Sequence, residues 1–158
     1  MVKLKKFKVM EMGEVFNMKT VMVSGGFDPI HKGHVRMFKA AAKLGSLVVV
    51  VNNDNWLVKK KGYVFMPEAD RKEIIEEFAC VDKVVLTNHG VGCDDMSVCD
   101  SLMEIEPDVF ANGGDRFSDN IPEKRVCENL DIELVFNVGG HKVRSSSDLV
   151  KLSNQNSI

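Results

Sequence analysis

No apolar run in these 158 residues approaches the ~20 needed for a membrane-spanning helix; the longest, LVVVV at 47–51, has the length of a buried strand. Cysteine is sparse. The four, at 80, 93, 99 and 127, include no CxxC pair, which argues against a zinc ribbon. The opening residues, MVKLKKFKVMEMGEV, hold four lysines in the first eight positions. They lack the apolar core of a secretory signal, so the cysteines are expected to be reduced thiols of a cytoplasmic protein. An excess of one charge sign is missing too. Twenty-one Lys and Arg stand against 23 Asp and Glu, a net charge of −2. No global field therefore draws the chain to nucleic acid or to a membrane, and a charged substrate has to be met by local groups. Internal repeats, low-complexity segments and domain linkers are also absent, as are the Cys-His and G-x-S-x-G patterns of a covalent nucleophile.

What the chain does have is alternation. TVMVS (20–24), LVVVVN (47–52), DKVVLT (82–87), PDVFAN (107–112) and IELVFN (132–137) read as strands. Between them lie amphipathic stretches. VRMFKAAAKL (35–44) puts Val35, Phe38, Ala41 and Ala42 on one helical face. ADRKEIIEEFA follows Pro67, where proline is tolerated in a first turn. SVCDSLMEI, PEKRVCENL and SSSDLVKL complete the series. Strand and helix alternating five times predict an α/β domain, a doubly wound five-stranded parallel sheet covered by helices on both faces in a three-layer α/β/α arrangement. Residues 1–18 read as an N-terminal extension, 19–152 as the domain and 153–158 (SNQNSI) as a frayed tail.

A doubly wound sheet binds ligands beyond the carboxyl ends of its strands. The segments expected there are GGFDPIHKGH, NNDNWLVKKKG, GGDRF and GGHKVRSSS. Glycine admits a close approach, helix N-termini donate N–H groups and cations neutralise oxygens, so this mixture suits a phosphate-bearing ligand. Asp28 before Pro29 is biased toward an extended backbone, which puts the helix start near Gly33. His31 and His34, three apart, can converge across the first turn. From its residues alone the stretch fits a phosphate cradle, a metal pair completed by Asp28 or Asp115, or a plain strand–helix joint.

HKGH (31–34) after the first strand resembles the HxGH signature of the cytidylyltransferase-like nucleotidyltransferases. ADR (69–71) sits where that family has a helix-borne arginine. PDVFANGGDR (107–116) is similar to a segment of heptose-phosphate adenylyltransferases, and VRSSSDLV (143–150) to the family's late serine- and threonine-rich segment. Four motifs in order, over residues 20–152, resemble the heptose-phosphate adenylyltransferase and glycerol-3-phosphate cytidylyltransferase types. The resemblance implies a Rossmann-like fold with strand order 3-2-1-4-5 and a cytoplasmic enzyme. That enzyme would transfer CMP or AMP from CTP or ATP to a sugar or polyol phosphate and release pyrophosphate.

It also implies roles. His31, His34, Lys60 and Arg71 would be catalytic. Gly25, Gly26 and Phe27 would bring backbone against the nucleotide. His31, His34, Asp115 and Ser145, Ser146 and Ser147 would bind it. Lys60, Arg71 and Arg116 would hold the acceptor phosphate, with Lys59 and Lys61 as rivals of Lys60. Magnesium would arrive on the triphosphate, near Asp115, with no direct protein ligation. Lys142, His141 or Arg144 would replace an arginine that the glycerol-phosphate enzymes carry just before the serines. A homodimer is implied; Trp56 and Phe65, in the second loop, read as interface, lid or core residues. Two other functions fit the same residues: a non-catalytic nucleotide-binding module, and a metal-dependent phosphate-ester hydrolase built on His31, His34 and Asp115.

Overall fold

In a computed structural model of the chain, the described residues are 7–9, 15–114, 116–117 and 121–156. The extension contains a small antiparallel pair, β1 (Phe7–Val9) with β2 (Val15–Asn17). The main sheet has five strands: β3 (Thr20–Gly25), β4 (Ser46–Val51), β5 (Lys83–Leu86), β6 (Val109–Ala111) and β7 (Glu133–Val135). Their order is β5-β4-β3-β6-β7 and every pairing is parallel. Numbered along the chain, that is 3-2-1-4-5, the expected topology. The order reverses between β3 and β6, so the crevice of the sheet opens beyond Gly25 and Ala111.

Alternation along the strands builds a core on each face. Val21 and Val23, Val49 and Val51, and Val109 and Ala111 point to one face. They meet Phe38 and Ala41 of α1 (Lys32–Ala42) and Ile75 of α3 (Glu68–Glu76). Met22, Val50 and Phe110 point to the other face. They meet Leu102 of α4 (Cys99–Ile105) and Cys127 of α5 (Lys124–Asn129). Every residue of β4 is buried, which is why SLVVVV is apolar without alternation: both its faces are covered.

Three elements differ from expectation. A helix, α2 (Asp54–Lys61), occupies a segment expected to be loop. Leu57 is its only buried residue, so it lacks the apolar stripe that betrays most helices. Caps hold it instead. The Asn53 side chain accepts from the Trp56 N–H at 3.0 Å, and Gly62, left-handed at φ 84°, closes the other end. The last helix, α6 (Ser146–Gln155), continues three residues into the expected tail and buries none of its residues. The β1–β2 pair lies within the expected extension. No helix among the described residues is long and apolar enough to cross a membrane.

Candidate active site

The turn between β3 and α1 is organised by its histidines. His31 is the N-cap of α1, and its Nδ1 accepts from the Gly33 N–H at 3.1 Å. His34 reaches back, its Nδ1 accepting from the His31 N–H at 3.2 Å. The pair forms a reciprocal capping box in which imidazoles replace the usual serine and glutamate. An Nδ1 that accepts carries no proton, so each neutral ring carries its proton on Nε2. The rings stack with centroids 3.7 Å apart at 22°. The Phe27 ring meets His34 edge-on at 4.9 Å.

Burial, then His31, then Lys61 push His34 down to a pKa of about 3. Burial, then Arg144 and Lys142, lower His31. The result is two uncharged Nε2–H donors at the mouth of one helix. Gly33 is required between them: a Cβ there would stand 2.9 Å from Cε1 of His31 and 3.2 Å from Cγ2 of Val143.

Beside the histidines lies a cavity of about 310 Å³. It joins the ends of β3 and β6 to the N-terminus of α6. Gly25, Gly26, Phe27, His31 and His34 line it, as do Arg116, Ser145, Ser146 and Ser147. The charged side chains described in its wall are all cationic: Lys61, Arg116, Lys142 and Arg144. The local positive field that the balanced composition demanded is therefore concentrated here. Ser146 Oγ donates to the Pro29 carbonyl at 2.7 Å and ties α6 to the histidine turn. Ser145 is the N-cap of α6 but makes no side-chain cap bond, leaving its hydroxyl for a ligand.

Two expected phosphate contacts fall elsewhere. Arg71 is 1% exposed and absent from the cavity wall. Its Nε donates to the Met66 carbonyl at 2.9 Å. Its Nη1 donates to the carbonyls of Gly26 at 2.7 Å and Asn52 at 2.6 Å. Its Nη2 pairs with Asp54 at 2.7 Å. The guanidinium is thus consumed by the loops after β3 and β4 and by the loop before α3. Lys60 is exposed and outside the wall; the lysine that reaches it is Lys61. Lys61 is the last residue of α2, and its Nζ lies 3.4 Å from the Asp28 carbonyl. Burial lowers its pKa, Asp28 raises it and Arg71 lowers it.

Asp28, a candidate metal ligand in the sequence, is fully buried. It accepts from the backbone N–H groups of Phe65 at 2.8 Å and Met66 at 2.5 Å. Asp115 lies outside the described residues. Among the described residues no three His, Cys, Asp or Glu side chains converge as metal ligands.

Asn112, Gly139 and Gly140, in segments the sequence placed at and beyond the strand ends, line the cavity, and so does Met37, which sequence reasoning did not single out. The glycine pair was a legible signal. Gly139 has φ 87°, and a Cβ there would stand 2.9 Å from Cα of Met37, so the chain must pass α1 without a side chain. Trp56 also lines the cavity. Its indole Nε1 donates to the Met96 carbonyl at 2.9 Å, which fixes the ring as a wall.

A family model described as cytidylyltransferase-like matches residues 22–151. An FAD synthase from Korarchaeum cryptofilum is 34% identical over 134 residues, 80% of this chain and 83% of that protein. An FAD synthase from Ferroglobus placidus is 37% identical over 102 residues, 65% of this chain and 63% of that protein. The bifunctional protein HldE of Streptomyces coelicolor is 39% identical over 108 residues, covering 66% of this chain but 22% of that protein. Among solved structures, the lipopolysaccharide core biosynthesis protein from Thermoplasma volcanium superposes with a TM-score of 0.62 at 28% identity. That match covers 79% of this chain and 99% of the other.

Proposed function

The chain belongs to the cytidylyltransferase-like family of nucleotidyltransferases, and from that membership we propose that it transfers AMP from ATP to a phosphate monoester and releases pyrophosphate. FAD is FMN joined to AMP. Relatives named FAD synthases therefore favour ATP over CTP as donor, and FMN joins sugar and polyol phosphates as a candidate acceptor.

One observation carries this reading. Two neutral imidazoles, tautomer-locked by backbone N–H groups, border a cavity whose described charged side chains are all cationic. A triphosphate is the ligand that such a wall neutralises. The cations divide between the histidines: Arg144 and Lys142 act on His31, and Lys61 acts on His34. The N-terminus of α6 lies with the first group, being continuous with Arg144. We assign the β- and γ-phosphates to His31, Arg144, Lys142 and Ser145–Ser147, and the acceptor phosphate to Lys61 and Arg116.

In the reaction an acceptor phosphate oxygen attacks the α-phosphorus of ATP. A new P–O bond forms, the bond to the bridging oxygen breaks, and pyrophosphate leaves with that electron pair. The attacking phosphate is already anionic, so no general base is required. The protein's work is alignment and charge neutralisation. His34 donates Nε2–H to the α-phosphate, and His31 donates to the departing oxygens. Because both rings are neutral donors, they strengthen as charge builds and undergo no proton transfer. Magnesium would be held by the oxygens of the triphosphate and when bound would screen their charge; the described lining residues, Asp115 not being among them, include no carboxylate.

The test is a panel of ATP, CTP, GTP and UTP against FMN and sugar and polyol phosphates, with magnesium, read by pyrophosphate release. ATP with one acceptor class is the expected result. Turnover with CTP alone, or none with any pair by a folded protein, overturns the reading.

A further inference from the structure

Lys61 can serve an acceptor phosphate only if the end of α2 is held over the histidines. The first turn of α2 is anchored by Trp56 on Met96 and by Asp54 on Arg71. The helix buries only Leu57, so its far end, where Lys61 sits, depends on the chain that follows. The loop that follows it, residues 62–67, is largely exposed, with Phe65 52% and Tyr63 37% accessible. Yet this loop is tied down from beneath at Phe65 and Met66. Both carboxylate oxygens of Asp28 are engaged, one by the N–H of Phe65 and one by the N–H of Met66. The Met66 carbonyl is taken by Arg71, which also holds the carbonyls of Gly26 and Asn52. Asp28 sits in the histidine turn, three residues before His31, and its own carbonyl faces the Lys61 ammonium. The histidine turn and the loop that follows Lys61 are thereby locked directly by the buried Asp28 carboxylate and, around it, by Arg71.

We propose that Asp28 is a positioning residue for the acceptor side of the reaction: it latches the backbone of Phe65 and Met66, and through that loop sets Lys61 over the histidine pair, without touching either substrate. This rests on the assignment of Lys61 to the acceptor phosphate. Asparagine at position 28 keeps the size of the side chain. It can accept from only one of the two N–H groups and turns an amide donor toward the other. The loop then loosens, Lys61 loses its fixed place, and the nucleotide half of the cavity, built from His31 and α6, is unaffected.

Steady-state kinetics with the acceptor identified by the panel, together with calorimetric ATP binding, test this. Asp28→Asn is expected to lower kcat/KM for the acceptor by about 10–100-fold, the range that an ångström-scale misplacement costs. ATP affinity should stay within about twofold of wild type, as expected when the substituted group makes no contact with the nucleotide. In a Lys61→Ala background, Asp28→Asn should add little, because a latch that acts through Lys61 has nothing left to position.

Equal losses in the presence and absence of Lys61, or a parallel loss of ATP binding, overturn the proposal. If Lys61→Ala is itself silent toward the acceptor, the assignment of Lys61 fails and the latch falls with it. If Lys61→Ala is damaging and Asp28→Asn is silent, the latch alone is wrong. Should Asp28→Asn fail to fold, amide exchange in the unaltered protein decides. The Phe65 and Met66 amides are expected to be protected well beyond those of Tyr63 and Val64, and equal rates across the four overturn the proposal.

Discussion

Histidine 34 is a base that burial and its neighbours hold at a pKa of about 3, against 6.5 in an unfolded chain. Below pH 6.5 the unfolded chain takes up a proton that the folded protein refuses. The fold loses nothing on this account above pH 6.5 and is progressively destabilised as pH falls toward 3. At pH 5 the loss from this one group is about 2 kcal/mol. Melting temperatures measured from pH 7 down to pH 5 should fall, and His34→Asn should flatten that decline. The same ring separates two roles. Asparagine reproduces the Nδ1 acceptor that caps the helix, whereas glutamine reproduces the reach of Nε2–H. His34→Asn should therefore keep the fold and lose turnover by about 100–1,000-fold, the usual cost of a transition-state donor. His34→Gln should retain more of the rate. Equal activity of the two variants would remove Nε2 from the mechanism.

Among the elements, the strands were the most legible. Their apolar runs follow from burial, complete on both faces in β4 and partial in the edge strands β5 and β7, a property each run carries within itself. α2 was not legible from pattern, because a helix held by Asn53 and Gly62 rather than by an apolar face has no period to read. Its caps were the available signal, and they would also have chosen Lys61, the last residue before the left-handed Gly62. The histidines and serines could be read because neighbours in sequence are neighbours in one helical turn. α6 stands apart. It brings three serines to the cavity yet buries none of its own residues, and Ser146 ties it to Pro29. An element with so little packing is expected to open locally and often. ATP should therefore slow amide exchange across residues 146–152 more than anywhere in the sheet, by bridging the helix to the histidine turn. Unchanged exchange in α6 at saturating ATP would separate this helix from the nucleotide.

Taken as a whole, the molecule gathers its chemistry where the strand order reverses, and one buried cation holds the surrounding loops in register. The fate of Arg71 was illegible in the sequence, since an arginine in a motif says nothing about which carbonyls will surround it. Its partners at Gly26 and Asn52 lie 45 and 19 positions away. Arg71→Ala leaves those carbonyls buried without a donor and Asp54 without its ion pair. Urea unfolding should show a loss of about 2–4 kcal/mol, from carbonyls left without donors and the space the side chain vacates, the partly exposed Asp54 adding little. A variant as stable as the parent would mean that the clamp is ornamental. Three of the four bonds that Arg71 makes go to main-chain oxygens rather than side chains. The identities of residues 52 and 66 are therefore not what the clamp recognises. Side chains facing the acceptor can be exchanged over evolutionary time while the scaffold beneath them stays put, which gives such a protein room to acquire new substrates without first being rebuilt.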